Sequence, residues 1–291
     1  MVSVVIVNYN TFQITCDCIA SVYRHTQDIV FEIVLVDNAS VDVPAERFKE
    51  LFPDIILVKS VENLGFAKGN NLGIAHSKGD CILLLNSDTY LEHDAISSAY
   101  CHYRSLTAPG VLGIKMLFPD GRPQYTARKF RSISWELRDI FRFTLYLLPY
   151  SQRAKLMLGR YFKADLDLEV DWLNGAFFMF SRNILEKLPG HILDERFFMY
   201  GEDHLWCWQI RSLGYHNYFY SGSSIVHINN ASTDPSKRLR LLRIMFKNEL
   251  EIMRYRKGSD LYYSFFVLLY GAKENFRILF KHLIAFLKPG V

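Results

Sequence analysis

Apolar and polar positions change period along this chain, and the changes mark its elements. Residues 2–7 form an apolar run, as a strand buried on both faces requires. Residues 11–26 set Phe12, Ile14, Ile19 and Val22 among polar neighbours, which predicts a helix. Residues 31–36 form a second apolar strand ending at Asp37, and 45–51 a short helix closed by Pro53. Residues 55–58 predict a third strand, 66–76 a helix, and 81–85 a fourth strand that runs into Asn86, Ser87 and Asp88. Strand–helix alternation with short loops predicts an α/β fold, a mostly parallel sheet covered by helices on both faces. Ligands of such sheets bind beyond the carboxyl ends of the strands. Asn8, Tyr9, Asn10, Asp37, Asn38, Asn86 and Asp88 therefore share one rim.

The second half is less regular. Residues 111–118 predict a strand, followed by a turn at Pro119-Asp120-Gly121. Residues 122–163 show no clear period. Residues 171–180 lead through Trp172 and Gly175 into an apolar strand. Residues 197–213 hold a polar-aromatic cluster and then a helix stopped by Gly214. Residues 215–227 read as a strand pair around Ser221-Gly222. Residues 235–256 read as a helix with Leu239, Leu242, Met245, Phe246 and Met253 on one face and a basic outer face. No repeat or low-complexity linker interrupts the chain.

Composition narrows the class. With 291 residues, 50% hydrophobic and 22% charged, the chain suits one large domain or two small ones and is not disordered overall. A net charge of +4 is too mild to indicate nucleic-acid binding, and no recognition motif accompanies it. Its distribution says more. Residues 122–163 carry ten basic and two acidic side chains, and residues 236–291 carry twelve and four. The rest is acidic. Two basic, aromatic-rich segments are either solvated helix faces or contacts for something anionic, such as a phosphate-bearing lipid or a membrane surface. The five cysteines are odd in number and lack C-x-x-C spacing, so they read as buried small hydrophobes in a reducing compartment. The chain enters its first strand directly, with no basic leader or cleavage site, so no signal peptide is expected. The nearly charge-free run 261–272 is too short to span a bilayer.

Four places could carry chemistry. Asp37 ends a strand, where a carboxylate can bind a nucleobase or ribose or cap the next helix. Asn63-Leu64-Gly65-Phe66-Ala67-Lys68-Gly69-Asn70-Asn71 offers close backbone approach, a cation for phosphate and amide donors and acceptors. It matches neither a P-loop nor a dinucleotide fingerprint, and a plain glycine-rich helix start is the alternative. Asn86-Ser87-Asp88 supplies one firm carboxylate for a divalent cation, with His227 as the natural second ligand or a structural histidine. Tyr200-Gly201-Glu202-Asp203-His204 sits at a helix start, where the helix dipole favours ionised carboxylates, for capping or as general base. No Ser/His/Asp, H-E-x-x-H or kinase pattern is present.

Together these motifs resemble family 2 glycosyltransferases of the GT-A fold, within the rhamnosyltransferase-like branch. The resemblance runs from Val2 to about Ser232. It rests on Val5-Ile6-Val7-Asn8-Tyr9-Asn10, Val36-Asp37-Asn38-Ala39-Ser40, the Asn63–Asn71 loop, Leu84-Leu85-Asn86-Ser87-Asp88, Trp172-x-x-Gly175-Ala176, Phe198-Met199-Tyr200-Gly201-Glu202-Asp203 and His227. It implies that Tyr9 and Asp37 hold the base and ribose of a nucleotide-diphosphate sugar. Asn63, Lys68, Asn71, Asn86 and Ser87 would line the nucleotide-sugar site. Asp88 would bind Mg²⁺ or Mn²⁺ with His227. Trp172, Gly175, Tyr200 and His204 would shape the sugar and acceptor pocket. Asp203 would be the general base, with Glu202 beside it on acceptor or donor hydroxyls. Two positions depart from the family pattern. Asn86 replaces a carboxylate at the head of the metal motif, and His204 replaces a small polar or acidic residue after Glu202-Asp203.

The resemblance further implies an inverting transferase, with dTDP-L-rhamnose as favoured donor over a UDP-hexose or UDP-galactofuranose. Its implied acceptor is a polyprenyl-diphosphate-linked saccharide in bacterial surface-polysaccharide (O-antigen or cell-wall) assembly. A catalytically weak nucleotide-sugar-binding scaffold is the rival class. The chain then divides into a glycosyltransferase domain, 1–232, with a nucleotide-sugar half (1–118) and an acceptor half (119–232), and a helical tail, 233–291. In that tail Lys273, Arg277 and Lys281 recur on one face and Phe276, Leu279, Phe280, Leu283 and Leu287 on another. That pattern predicts an interfacial helix, with packing on the body or in a homodimer as alternatives. The expected location is the cytoplasm, peripherally on the inner face of the cell membrane.

Overall fold

The computed structural model describes residues 1–228 and 238–287, with side chains from 240 and up to 277 in the second stretch. The first half alternates as its apolar periods require. In order come β1 (Val2–Asn8), α1 (Phe12–His25), β2 (Phe31–Asp37), α2 (Glu46–Leu51), β3 (Ile56–Lys59), α3 (Gly65–Ala75) and β4 (Cys81–Asn86). β1 pairs in parallel with both β2 and β4, and β3 pairs in parallel with β2. The apolar run of β1 is explained by its two buried faces. Val2, Val4 and Ile6 pack with Cys18, Ile19 and Val22 of α1, whereas Val5 packs with Ala67 and Ile74 of α3 on the other side.

Next come β5 (Thr89–Tyr90), α4 (Ala95–Ser105), β6 (Pro109–Leu117) and β7 (Ala127–Arg128). The basic stretch without a clear period holds α5 (Ile133–Ile140), a 3-10 helix (Arg142–Leu147) and α6 (Tyr150–Met157). Each is two turns or less, too short to show a period of 3.6. The chain continues with β8 (Leu168–Val170), β9 (Trp172–Leu173), β10 (Phe177–Ser181), α7 (Glu202–Ser212), β11 (His216–His227), α8 (Arg238–Lys257) and α9 (Leu261–Leu287).

The main sheet has the order β3-β2-β1-β4-β10-β6-β11-β5, with β8 also on β11. β10 is antiparallel to β4 and β6, so the parallel half and the mixed half form one continuous sheet. The expected strand pair at 215–227 is instead the single strand β11. Both of its halves run parallel to β6, and the register shifts between Tyr220 and Ser224. Gly222 is not among the glycines with positive φ, so the surplus residues bulge while the chain keeps its direction. All five cysteines are free; four are buried as expected, while Cys101 is exposed on α4.

The two C-terminal helices fold back on the body. Ile252 of α8 packs with Phe197 and Leu205, and Met253 packs with Phe266 and Tyr270 of α9. Burying a side chain of this size stabilises by about 1.5–3 kcal/mol, which favours docking over free extension. The expected domain boundary at Ser232 lies outside the described residues, as do the side chains of Leu279, Phe280, Lys281, Leu283 and Leu287. Among the described residues no helix is long and apolar enough to cross a membrane.

Candidate active site

The carboxyl ends of β1, β2 and β4 open into a cavity of about 1010 Å³. It is lined by Tyr9, Asn38, Asn63 and Gly65 on one side, and by Asn86, Ser87, Asp88 and His227 in the middle. Trp172, Gly175, Tyr200, Glu202, Asp203 and His204 line the far side. Twelve sequence-predicted residues, scattered over more than two hundred positions, thus meet in one cavity.

Three others stand elsewhere. Asp37 is buried behind the rim, where its carboxylate accepts from Asn8 Nδ2 at 2.9 Å and from the Ser40 amide at 3.2 Å. It ties β1 to β2, and the adjacent Asn38 reaches the cavity instead. Asn38 Nδ2 donates to Asn63 Oδ1 at 3.1 Å and to the Gly65 carbonyl at 3.2 Å. Asn71 is buried and clamps the 193–195 segment through the Leu193 carbonyl and Glu195 Oε1. Lys68 is exposed outside the cavity. Gly65, by contrast, lines the cavity. Gly65 itself is required: its φ is +76°, and a Cβ there would lie 2.3 Å from the Phe198 carbonyl oxygen.

An aspartate–histidine pair stands in the middle of the cavity. His227 Nε2 lies 3.2 Å from Asp88 Oδ1. On the other side of the ring, Nδ1 lies 2.8 Å from Gln124 Oε1, and Gln124 Nε2 donates to the His227 carbonyl. An amide oxygen can only accept, so Nδ1 carries a proton, and this bond holds the ring with Nε2 toward Asp88 and the cavity. A carboxylate beside an oriented imidazole suits a divalent cation whose other positions are filled by phosphate oxygens and water. The described residues include no group of three or more His, Cys, Asp or Glu side chains that could hold an ion unaided. Asn86 adds only a neutral amide, its Nδ2 3.5 Å from His227 Nε2.

The far wall starts at an unusual helix entry. Tyr200 and Gly201 both have positive φ, 70° and 102°, immediately before α7. Asn248 of α8 holds this turn by donating to the carbonyls of Met199 and Tyr200. The expectation that the helix dipole keeps both carboxylates ionised fails for Glu202. Burial raises its pKa, the Asp203 charge raises it further, and Oε2 has no hydrogen-bond partner. Burial raises Asp203 as well, but this is opposed by two amides, Gly175 at 3.0 Å and His204 at 2.8 Å. Burial thus pushes both carboxyls up, and the two amides favour the charged form of Asp203 over that of Glu202. Gly175 permits this approach, since a Cβ there would press on Phe66 at 3.2 Å and on Asp203 Cβ at 3.5 Å.

His204 borders the cavity yet is 2% exposed, because both ring faces are covered. It stacks on Phe130 at 5.2 Å and on Trp172 at 5.0 Å. Arg256 and Arg128 close the outer faces of those rings, at 4.5 and 5.2 Å. His204 Nδ1 lies 3.3 Å from Glu249 Oε2 of α8. Burial opposes the Glu249 charge, but the His204 ring, Arg131 and Arg256 outweigh it and hold the carboxyl at about 2. Phe130, Arg128, Gln124 and Glu249 escape sequence reasoning, since only the folded chain brings them to Trp172 and His227.

Lys273, expected on an outward basic face, points into the body instead. Its ammonium contacts Glu136 Oε2, lies 3.0 Å from Asp139 Oδ2 and sits 5.2 Å from the Trp135 ring. A lysine flanked by two buried carboxylates satisfies more charge there than it would at a surface.

The fold is GT-A-like. Residues 3–188 match the family Glycosyl transferase family 2, and the chain belongs to it. Among curated relatives, the uncharacterized protein y4gI of Sinorhizobium fredii is 22% identical over 88% of this chain. The low-salt glycan biosynthesis hexosyltransferase Agl10 of Haloferax volcanii is 26% identical over 72% of it. The chain spans only 27% of the former and 61% of the latter. Among solved structures, the mannosyltransferase PcManGT of Pyrobaculum calidifontis, in complex with GDP-Man and Mn²⁺, superposes with a TM-score of 0.58 at 18% identity, covering 89% of this chain and 65% of that one.

Proposed function

We propose that this chain is an inverting glycosyltransferase that moves a sugar from a nucleoside-diphosphate donor to a hydroxyl of a glycan acceptor. The observation that carries the reading is the amide-held carboxylate of Asp203 in the same cavity as the Asp88–His227 pair. Tyr9, Asn38 and Asn63 suit the nucleotide, and Trp172, Gly175 and Tyr200 the sugar and acceptor. Asp88 and His227 would hold Mg²⁺ or Mn²⁺, which when bound neutralises charge growing on the diphosphate. Asp203 takes the proton of the acceptor hydroxyl as its oxygen bonds to the anomeric carbon. The bond from that carbon to the diphosphate oxygen breaks on the opposite face, and the configuration inverts. Glu202, protonated, donates a hydrogen bond to a sugar hydroxyl.

The favoured donor is dTDP-L-rhamnose, on the motif resemblance; UDP-hexoses and UDP-galactofuranose are the competing donors. The acceptor side has a cationic character that suits a diphosphate-linked saccharide. Arg128 and Arg142 line the cavity and, among the described residues, neither has a carboxylate partner. A polyprenyl-diphosphate-linked acceptor at the inner face of the cell membrane fits this character. A thermal-shift panel of nucleotide sugars with Mg²⁺ or Mn²⁺ identifies the donor, because a ligand stabilises the fold it binds. With that donor, Asp203→Asn abolishes transfer and keeps donor binding. Near-normal turnover in the variant removes Asp203 as the base.

A further inference from the structure

We propose that residues 137–147, at the mouth of the cavity, form the surface by which this protein docks on an anionic lipid membrane. The segment joins the end of α5 to the 3-10 helix, and Leu145 anchors it inward against Met157 and Tyr161. Its other large side chains face outward. Phe143 is 68% and Leu147 86% exposed, and Leu137, Ile140, Phe141 and Tyr146 are exposed beside them. Six large apolar groups on eleven consecutive residues is a concentration that a surface facing only water does not carry.

The charges in the segment select the occupant. Arg138 and Arg142 are exposed, and the single acid, Asp139, is buried against Arg160 and Lys273. The outward surface is therefore aromatic, aliphatic and purely cationic, the composition that seats in the boundary between acyl chains and anionic headgroups. α9 extends the surface. Leu261, Phe265 and Leu268 are exposed along one side of it, about 150° round from the face that buries Phe266 and Tyr270. α9 lies along α5, since Tyr262 accepts from the Ile133 amide and Lys273 reaches Glu136 and Asp139. Arg142 faces the cavity as well as the outside, so docking here brings the cavity mouth to the headgroups.

Of the tail cations expected at a membrane, Lys273 is consumed internally, whereas Arg138 and Arg142 of this segment have no carboxylate partner among the described residues. The purpose of the surface rests on the lipid-linked acceptor proposed above, but its binding is measured without any turnover. The full chain is floated with vesicles of phosphatidylcholine containing phosphatidylglycerol, and with phosphatidylcholine alone. Binding to the anionic vesicles, weakened by added salt, is expected. Phe143→Ser with Leu147→Ser, at two exposed positions, lowers vesicle affinity about tenfold or more, as withdrawing two buried apolar groups should. Arg138→Glu lowers it further. The same variants keep the wild-type melting temperature and nucleotide-sugar binding. Undiminished flotation of the double variant overturns the proposal, as does a lack of binding to anionic vesicles. So does a concentration-dependent dimer that the double variant abolishes, which would make the patch an interface between copies. Loss of transfer in Asp203→Asn with flotation intact separates the two readings.

Discussion

Glu249 joins the C-terminal helices to the catalytic turn, and neutralising it has a calculable cost. Its carboxyl is held at about 2 against an ordinary 4.5, and its side chain is 13% exposed. At about 1.36 kcal/mol per pKa unit, that difference amounts to about 3 kcal/mol of stability at neutral pH. Glu249→Gln keeps the shape and an oxygen for His204 but removes the charge that faces His204, Arg131 and Arg256. The sign follows from a depressed carboxyl. Its contribution is fully present above pH 4.5 and is lost as pH falls toward about 2, where the wild type also becomes protonated. Urea unfolding of both proteins, at neutral pH and at steps into the acid range, measures it. The variant should be less stable by about 3 kcal/mol at neutral pH, with the gap narrowing below the ordinary carboxylate range. A neutral-pH difference under about 0.5 kcal/mol, or one that ignores pH, refutes the reasoning.

Three further outcomes are expected. Gly65→Ala places a Cβ 2.3 Å from the Phe198 carbonyl oxygen at a φ of +76°, and costs on the order of 1–3 kcal/mol in thermal or urea unfolding. Glu202→Gln mimics the protonated acid. The wild type therefore loses stability as pH rises from the ordinary carboxylate range through the raised Glu202 value, and the variant does not, so their melting temperatures diverge toward alkaline pH. Gln124→Leu frees the His227 ring and lowers Mn²⁺ affinity in the nucleotide complex about 10–100-fold, read by calorimetry.

What could be read without coordinates follows from local chemistry. β1, β2 and β4 are buried on both faces, so they show as apolar runs, and the polar residues that end them must lie on the ligand-binding rim. The Asn63–Asn71 loop could be recognised, but not which of its members face inward. The fold settles that: Gly65 lines the cavity, Lys68 is exposed outside it, and Asn71 is drawn to the 193–195 segment. The 122–163 stretch was opaque because its helices are too short to repeat, yet it supplies Gln124, Arg128 and Phe130 to the site and the exposed patch at its mouth.

The linear chain by itself determined the order of strands and helices in the first half, the rim where their polar ends gather, and the motifs that carry the family resemblance. Those depend on residue type and short-range period, which every segment carries within itself. The tertiary structure alone set the environments of Glu202 and Asp203 apart, because desolvation and the amides of Gly175 and His204 act through packing. It also decided where the basic tail spends its charge. Lys273 looks like a headgroup contact until Glu136 and Asp139, 137 and 134 residues away, are folded against it. An ion pair's value depends on what surrounds it, and that surrounding is assembled only by the fold.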